Sequence, residues 1–135
     1  MIVDGNDLII GRASTVIAKR LMMGEKVDVI NCEEMVITGG KKNVFDKYKR
    51  KKIMGVPSKG PFQPKRPDMF VKRIIRGMVP YKQPKGRDAF KRVKCYIGKG
   101  VEGEAQTIKV ASIDKVPNLK YVKVKDICKE LGWHA

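Results

Sequence analysis

The first 31 residues, MIVDGNDLIIGRASTVIAKRLMMGEKVDVIN, decide the fold. Met1–Val3 reads as a short strand. Apolar residues then recur at helical spacing from Gly11 to about Met23, and Gly24 ends the predicted helix. Val27–Asn31 is rich in β-branched residues and predicts a second strand. A strand, a helix and a strand at this spacing are typical of a right-handed crossover in which the two strands lie parallel.

The chain that follows extends this pattern into a small α/β domain. Further strands are predicted at Met35–Thr38 and Cys95–Ile97, and helices at Lys41–Lys52, from Pro67 to Met78 and from about Gly86. We therefore expect a small, mostly parallel β-sheet of about four strands with helices on both faces. The segment from residue 55 to residue 67 holds four prolines and two glycines, which predicts a long basic loop.

The last part of the chain is predicted to be an extension. Thr107–Val110 resembles a strand, Pro117-Asn118 a turn, and Lys125–Leu131 a final helix. We expect a core at residues 1–98, which includes a basic segment at 39–98. Residues 99–135 are then a C-terminal extension that packs on this core or on neighbouring molecules.

The charge is concentrated in the middle of the chain. The 135 residues carry 30 Lys and Arg against 14 Asp and Glu, a formal net charge of +16. Residues 39–99, the basic block, hold 20 of these bases and three of the acids, whereas acids and bases nearly balance on either side. Because such a block repels itself in a compact protein, it predicts a polyanionic partner such as a folded RNA. A membrane surface fits less well, since the basic helices lack exposed Trp or Phe to anchor in an interface.

The candidate contacts to this partner are the bases of the block, because phosphates require point charges from Lys and forked donors from Arg. The candidate RNA-binding residues are Lys41, Lys42, Lys47, Tyr48, Lys49, Arg50, Lys51, Lys52, Lys59, Lys65, Arg66, Lys72, Arg73, Arg76, Lys82, Lys85, Arg87 and Arg92. Two interpretations of Tyr48 stay open: its ring either stacks on a base or packs on the domain. Gly77 is expected to permit close packing or a helix end.

The sequence offers no constellation for catalysis or metal binding. Cys32, Cys95 and Cys128 are widely spaced, which is typical of buried free thiols, and the single histidine, His134, lies next to the last residue. Glu33-Glu34 predicts an acidic turn or cap. Gly98–Gly103 matches the string Gly-x-Gly-x-x-Gly, but an extended segment follows where a nucleotide site requires a helix. We therefore expect no enzyme, no cofactor, no metal and no small-molecule substrate.

The location of the protein follows from two further patterns. No apolar stretch approaches the roughly 20 residues of a membrane span. The N-terminus also lacks the features of a secretion signal. We expect a cytoplasmic protein with no membrane partner.

Several motifs, in chain order, resemble the large-subunit ribosomal protein L13 family. They are Leu8-Ile-Ile-Gly-Arg12 with Ala13-Ser14, Val29-Ile-Asn31 with Val36-Ile-Thr-Gly39 and Lys41-Lys42, Arg76-Gly-Met-Val-Pro80, Gly86-Arg87 before Ala89-Phe90, and Lys94-Cys-Tyr96 with Gly98. The motif at 76–80 is the most specific. The resemblance covers residues 1–98. Features of the proline-rich loop and the tail through Gly132-Trp133 are similar to archaeal and eukaryotic members, and a chain that ends at Ala135 favours an archaeal source.

The resemblance implies a doubly wound parallel sheet that binds large-subunit rRNA at the surface of the particle. It implies neighbouring large-subunit ribosomal proteins as further partners, and a part in subunit assembly. Two alternatives stay open. One is a free RNA-binding translational regulator, and the other is a nucleotide-binding enzyme that uses the loop at Gly98–Gly103.

Overall fold

Residues 1–134, which the computed structural model describes, form a mixed α/β fold. The strands are β1 (Ile2–Asp4), β2 (Val27–Ile30), β3 (Val36–Thr38), β4 (Val93–Cys95), β5 (Ala105–Gln106) and β6 (Tyr121–Lys123), and the helices are α1 (Ile10–Met22), α2 (Lys41–Ile53), α3 (Pro67–Met78), α4 (Pro84–Lys91) and α5 (Val124–Glu130). One parallel sheet has the strand order β4-β2-β1-β5, and β3 pairs with β6 in an antiparallel ribbon. The predicted α/β class with a small, mostly parallel sheet is confirmed.

The first 31 residues form the predicted βαβ unit. Strands β1 and β2 pair in parallel, with Val3 opposite Val29. On α1, Ala13, Ile17 and Leu21 recur every four residues and are fully buried, because this spacing places them on one face of the helix. Gly24 follows the helix with φ +96°, the left-handed conformation that the sequence predicts there.

Two predicted strands are displaced in the structure. The strand expected at Cys95–Ile97 lies instead at β4, because the fully buried Val93 pairs with Val27 while Ile97 is 37% exposed. The strand expected at Thr107–Val110 lies at β5, and a 3₁₀ turn occupies Lys109–Ala111. The apolar run of β3 predicts this strand, but its partner comes from the C-terminal segment.

The C-terminal segment contributes to the same apolar core as the N-terminal half. The backbone N–H of Ile9 donates to the carbonyl of Ala111 at 2.7 Å, and that of Val124 donates to Met35 at 2.8 Å. Ile127 and Leu131 of this segment are buried among the core residues. The basic loop between α2 and α3, residues 54–66, is largely exposed. Its regular hydrogen bonding is confined to a turn and an isolated bridge between Val56 and Gly60.

Candidate nucleic-acid interface

Helix α3 lies at the centre of the basic block. It begins at Pro67, which is tolerated there because the first N–H groups of a helix have no partner within the helix. In the same turn the Asp68 carboxylate accepts a hydrogen bond from the N–H of Met69 at 2.8 Å. Phe70, Val71 and Ile75 are buried, which leaves the opposite side to bases. Lys72, Arg73 and Arg76 lie half-buried on that side, as the helical spacing predicts.

Helix α2 packs on the core through a narrow apolar face and exposes its bases to solvent. Val44 and Tyr48, one turn apart, are the buried residues of this helix. The predicted α2 bases are exposed; they are Lys41, Lys42, Lys47, Lys49, Arg50, Lys51 and Lys52.

A tight turn joins α3 to α4 and carries Lys82, and the first residues of α4 add Lys85 and Arg87; all three bases are exposed. The turn closes because Gly86 lies directly against the preceding backbone: a Cβ placed there would come within 2.0 Å of the Pro80 carbonyl oxygen. Lys59, Lys65 and Arg66 of the basic loop are also exposed.

Most bases of the predicted set have no acidic partner within residues 1–134. Lys49 pairs with Glu130 at 2.9 Å, and Arg66 pairs with Asp68 at 2.9 Å. The Glu130 contact raises the pKa of Lys49. The remaining ion pairs of the described chain involve bases outside this set. The interface therefore carries charge that the fold itself does not neutralise.

Two residues of the predicted RNA-binding set make their contacts within the fold. Tyr48 is 8% exposed and packs on Phe70 with ring centroids 5.0 Å apart, while the Lys51 ammonium lies 5.2 Å from its ring centroid. Of the two interpretations of Tyr48, the structure shows packing on the domain, and burial raises the pKa of its phenol. Arg92 donates from Nη1 to the Leu21 carbonyl at 2.8 Å, so it caps the end of α1.

Two grooves flank α3 and connect the basic elements. The α2–α3 groove has a volume of about 280 Å³ and is lined by Lys51, Gln63, Arg73, Arg76 and Gly77, among others. The α3–α4 groove has a volume of about 380 Å³ and is lined by Phe62, Gln63, Pro64, Met69, Lys72, Arg73, Arg76 and Phe90. Arg73 and Arg76 line both grooves, so α2, the basic loop, α3 and α4 share one continuous surface.

Sequence reasoning about charge missed the apolar part of this surface. Phe62 is 68% exposed and Met69 is 53% exposed, although both lie within the basic block. The sequence does contain an indication that Phe62 is exposed. This residue stands between Pro61 and Pro64 in a predicted loop that has no apolar pattern of a core element. Gly77 also differs from one expectation, because a Cβ there would meet no atom within 4 Å and close packing does not require the glycine.

The loop at Gly98–Gly103 has a geometry unsuited to a nucleotide phosphate. The Glu33 carboxylate accepts the Gly98 N–H at 2.9 Å and 3.1 Å, so an anion already occupies this donor. The loop continues into the two-residue strand β5 and not into a helix, whose N-terminus a phosphate requires.

Two of the three thiols are buried as unreactive groups. Cys32 and Cys128 are buried and Cys95 is half-buried; all three are free. The neighbouring Cys95 thiol, together with burial, raises the pKa of Cys32, and burial raises the pKa of Cys128 to about 12. Thiols with raised pKa values are poor nucleophiles and poor metal ligands at neutral pH. Residues 1–134 contain no cluster of three or more metal-ligating side chains, and none of their helices is long and apolar enough to cross a membrane.

The fold and the site together define a class of protein. It is a small α/β domain whose unneutralised basic surface, centred on one helix, is complementary to a polyanion. A model of the family described as Ribosomal protein L13 matches residues 1–102. The chain belongs to the ribosomal protein L13 family.

Named relatives match almost the whole chain. The large ribosomal subunit protein uL13 of Archaeoglobus fulgidus is 40% identical over 138 residues, which cover 99% of this chain and 88% of the relative. The uL13 proteins of Methanopyrus kandleri and Methanococcoides burtonii are each 39% identical and cover 98% and 97% of this chain, and 86% and 96% of their own lengths. These relatives are archaeal and are named as ribosomal proteins, not as enzymes. The predicted family and the prediction that the chain is no enzyme are confirmed.

Proposed function

We propose that the chain is a structural component of the large ribosomal subunit in the cytoplasm. It binds large-subunit rRNA through the surface around α3 and supports assembly of the subunit beside neighbouring ribosomal proteins. The names of the archaeal relatives support the subunit assignment. One observation carries the RNA-binding part. The basic block holds 20 bases and three acids, and within residues 1–134 only Lys49 and Arg66 of the predicted contacts form ion pairs.

The proposed contacts are the exposed and half-buried bases on four adjoining elements. They are Lys41, Lys42, Lys47, Lys49, Arg50, Lys51 and Lys52 on α2, Lys59, Lys65 and Arg66 in the basic loop, Lys72, Arg73 and Arg76 on α3, and Lys82, Lys85 and Arg87 at the α3–α4 turn and on α4. Because they come from both sides of α3, they suit a folded RNA that presents phosphates on several faces. Tyr48 and Arg92 act instead within the fold that holds these bases in place.

The proposal is tested by measuring the affinity for protein-free large-subunit rRNA at several salt concentrations. The double variant Arg73→Ala and Arg76→Ala removes two charges from the centre of the surface. We expect weaker binding and a log–log salt slope smaller by about two, since each phosphate contact releases about one counterion. The two side chains lie outside the buried stripe of α3, so the helix should stay folded. Because Arg73→Ala also removes the hydrogen bond to the Phe62 carbonyl, the unfolding temperature of the variant is measured beside its affinity.

The matched control is Lys115→Ala with Lys120→Ala, which removes two exposed charges outside the basic block. It should change neither the affinity nor the salt slope appreciably. Equal losses in the two double variants would mean that net charge alone drives binding, and an unchanged affinity for the α3 variant would remove that helix from the interface.

A further inference from the structure

The α3–α4 groove differs from the surface around it because half of its lining residues are apolar. Phe62 and Pro64 from the basic loop, Met69 from α3 and Phe90 from α4 face one space of about 380 Å³. This volume is at the lower end of the roughly 300–1,000 Å³ that is usual for small-ligand sites. Phe62 and Met69 are each more than half exposed and border the same groove. A group of exposed apolar side chains, unlike a single one, is typical of a binding site.

The wall formed by Phe62 is held in place by the fold. The guanidinium of Arg73 donates to the Phe62 carbonyl, which ties the basic loop to α3. The same guanidinium lines the groove that Phe62 borders. The exposed ring is therefore carried on a backbone that is anchored to a helix, as a preformed binding surface requires.

Cations and aromatic rings alternate from the groove towards the α3–α4 turn. The Lys72 ammonium lies 5.3 Å from the centroid of Phe90, whose ring meets the edge of Tyr81 at 5.4 Å, and the Arg76 guanidinium lies 5.3 Å from Tyr81. Aromatic rings with cations beside them match a base with its adjoining phosphates. None of the groove's lining residues is acidic, so a protein segment would bring apolar contacts but would find its own cations repelled.

We propose that the α3–α4 groove receives one unpaired base of the bound RNA, which stacks on Phe62 while Lys72 and Arg76 contact the flanking phosphates. Only an unpaired base offers a free ring face, because the bases of a duplex are stacked on each other. This inference rests on the proposed RNA binding and adds to it the kind of nucleotide that is recognised.

The test compares Phe62→Ala and Phe62→Tyr in binding to protein-free large-subunit rRNA. Phe62→Ala should weaken binding about tenfold, since loss of one stacked base costs this order of affinity. The salt slope should stay unchanged, because stacking releases no counterions. Phe62→Tyr, which keeps a stacking ring, should restore wild-type affinity. Ultraviolet crosslinking of the wild type should join Phe62 to a nucleotide that is unpaired in the rRNA.

The matched control is Leu119→Ala, which removes an apolar side chain that is 90% exposed outside the basic block. This variant should bind as the wild type does. Unchanged affinity in Phe62→Ala would overturn the inference while leaving the proposed function intact. A loss seen only in incorporation into the subunit, with normal affinity for naked rRNA, would assign the groove to a neighbouring protein and would also overturn it. Failure of the wild type itself to bind rRNA would overturn the proposed function.

Discussion

Gly86 and Gly77 both belong to motifs that resemble the same family, but they differ in how much space a side chain would have at each position. A Cβ at Gly86 would come within 2.0 Å of the Pro80 carbonyl oxygen, whereas a Cβ at Gly77 would meet no atom within 4 Å. The first glycine is required for the turn that presents Lys82, Lys85 and Arg87. The second lies one residue before the end of α3, in a helical conformation that any residue adopts.

We predict that Gly86→Ala lowers the free energy of unfolding by about 1–3 kcal/mol, the usual range for a forced overlap. Gly77→Ala should leave stability unchanged or raise it by about 0.5–1 kcal/mol, because alanine favours the helix over glycine. Chemical denaturation of both variants and the wild type measures the difference. Equal destabilisation by the two substitutions would contradict the packing described for the α3–α4 turn.

The aromatic residues show where single-residue reasoning from sequence succeeds and fails. The helical spacing of α3 predicts its buried stripe, because period and apolar character coincide. Tyr48 and Phe62 both stand in basic surroundings, so composition cannot separate them. Their roles differ because Phe70 of α3 covers the ring of Tyr48, at 5.0 Å, while Phe62 lies in a loop and remains 68% exposed.

At the scale of elements, short-range patterns predict the βαβ unit but not the strands whose partners are distant in sequence. Strands β1 and β2 satisfy a local rule, since the helix between them covers the pair that they form. Strand β5 has only two residues and is exposed, so neither its length nor its apolar pattern distinguishes it from a loop. It is defined by its pairing with Ile2 and Val3, which lie about a hundred residues earlier.

Glu34 links the N-terminal half to the C-terminal segment through side-chain hydrogen bonds. Its carboxylate accepts hydrogen bonds from Lys123 and from Lys125, the latter at 2.7 Å, and these contacts lower the pKa of Glu34. They lie beside the β3–β6 ribbon and the start of α5. The acidic turn that the sequence predicts at Glu33-Glu34 is thus a connection between segments about ninety residues apart.

We predict that Glu34→Gln lowers the free energy of unfolding at pH 7 by about 1 kcal/mol, the upper range for partly exposed ion pairs. A carboxyl whose pKa is lower in the folded than in the unfolded chain adds stability above its unfolded pKa and loses it as the pH falls through the folded pKa. The wild type should therefore lose stability as the pH falls below the ordinary glutamate pKa of about 4.3, and the variant should lose less of it.

The matched control is Glu102→Gln, at an exposed site without an ion pair in the described part of the chain. Denaturation curves across this pH range compare the three proteins. Parallel pH profiles for the wild type and Glu34→Gln would show that this carboxyl does not join the segments.

At the scale of the whole molecule, the net charge is unevenly distributed along the sequence, whereas the buried core residues come from all parts of it. The βαβ unit supplies much of the buried core and is nearly neutral, whereas the basic block supplies α2, the basic loop, α3 and α4. Each helix of the basic block buries an apolar face, so the fold forms while its outer surface stays strongly positive. Composition predicts that surface and its polyanionic partner, but the grooves beside α3 depend on how loop and helices pack, which composition does not encode.

The most direct test of the ribosomal role is sucrose-gradient fractionation of a native lysate at low and moderate salt. We predict that the protein migrates with the large subunit and stays there at moderate salt, because the many phosphate contacts proposed for its basic surface would act together in one particle. Recovery of most of the protein in the light fractions at low salt would contradict a structural role in the subunit.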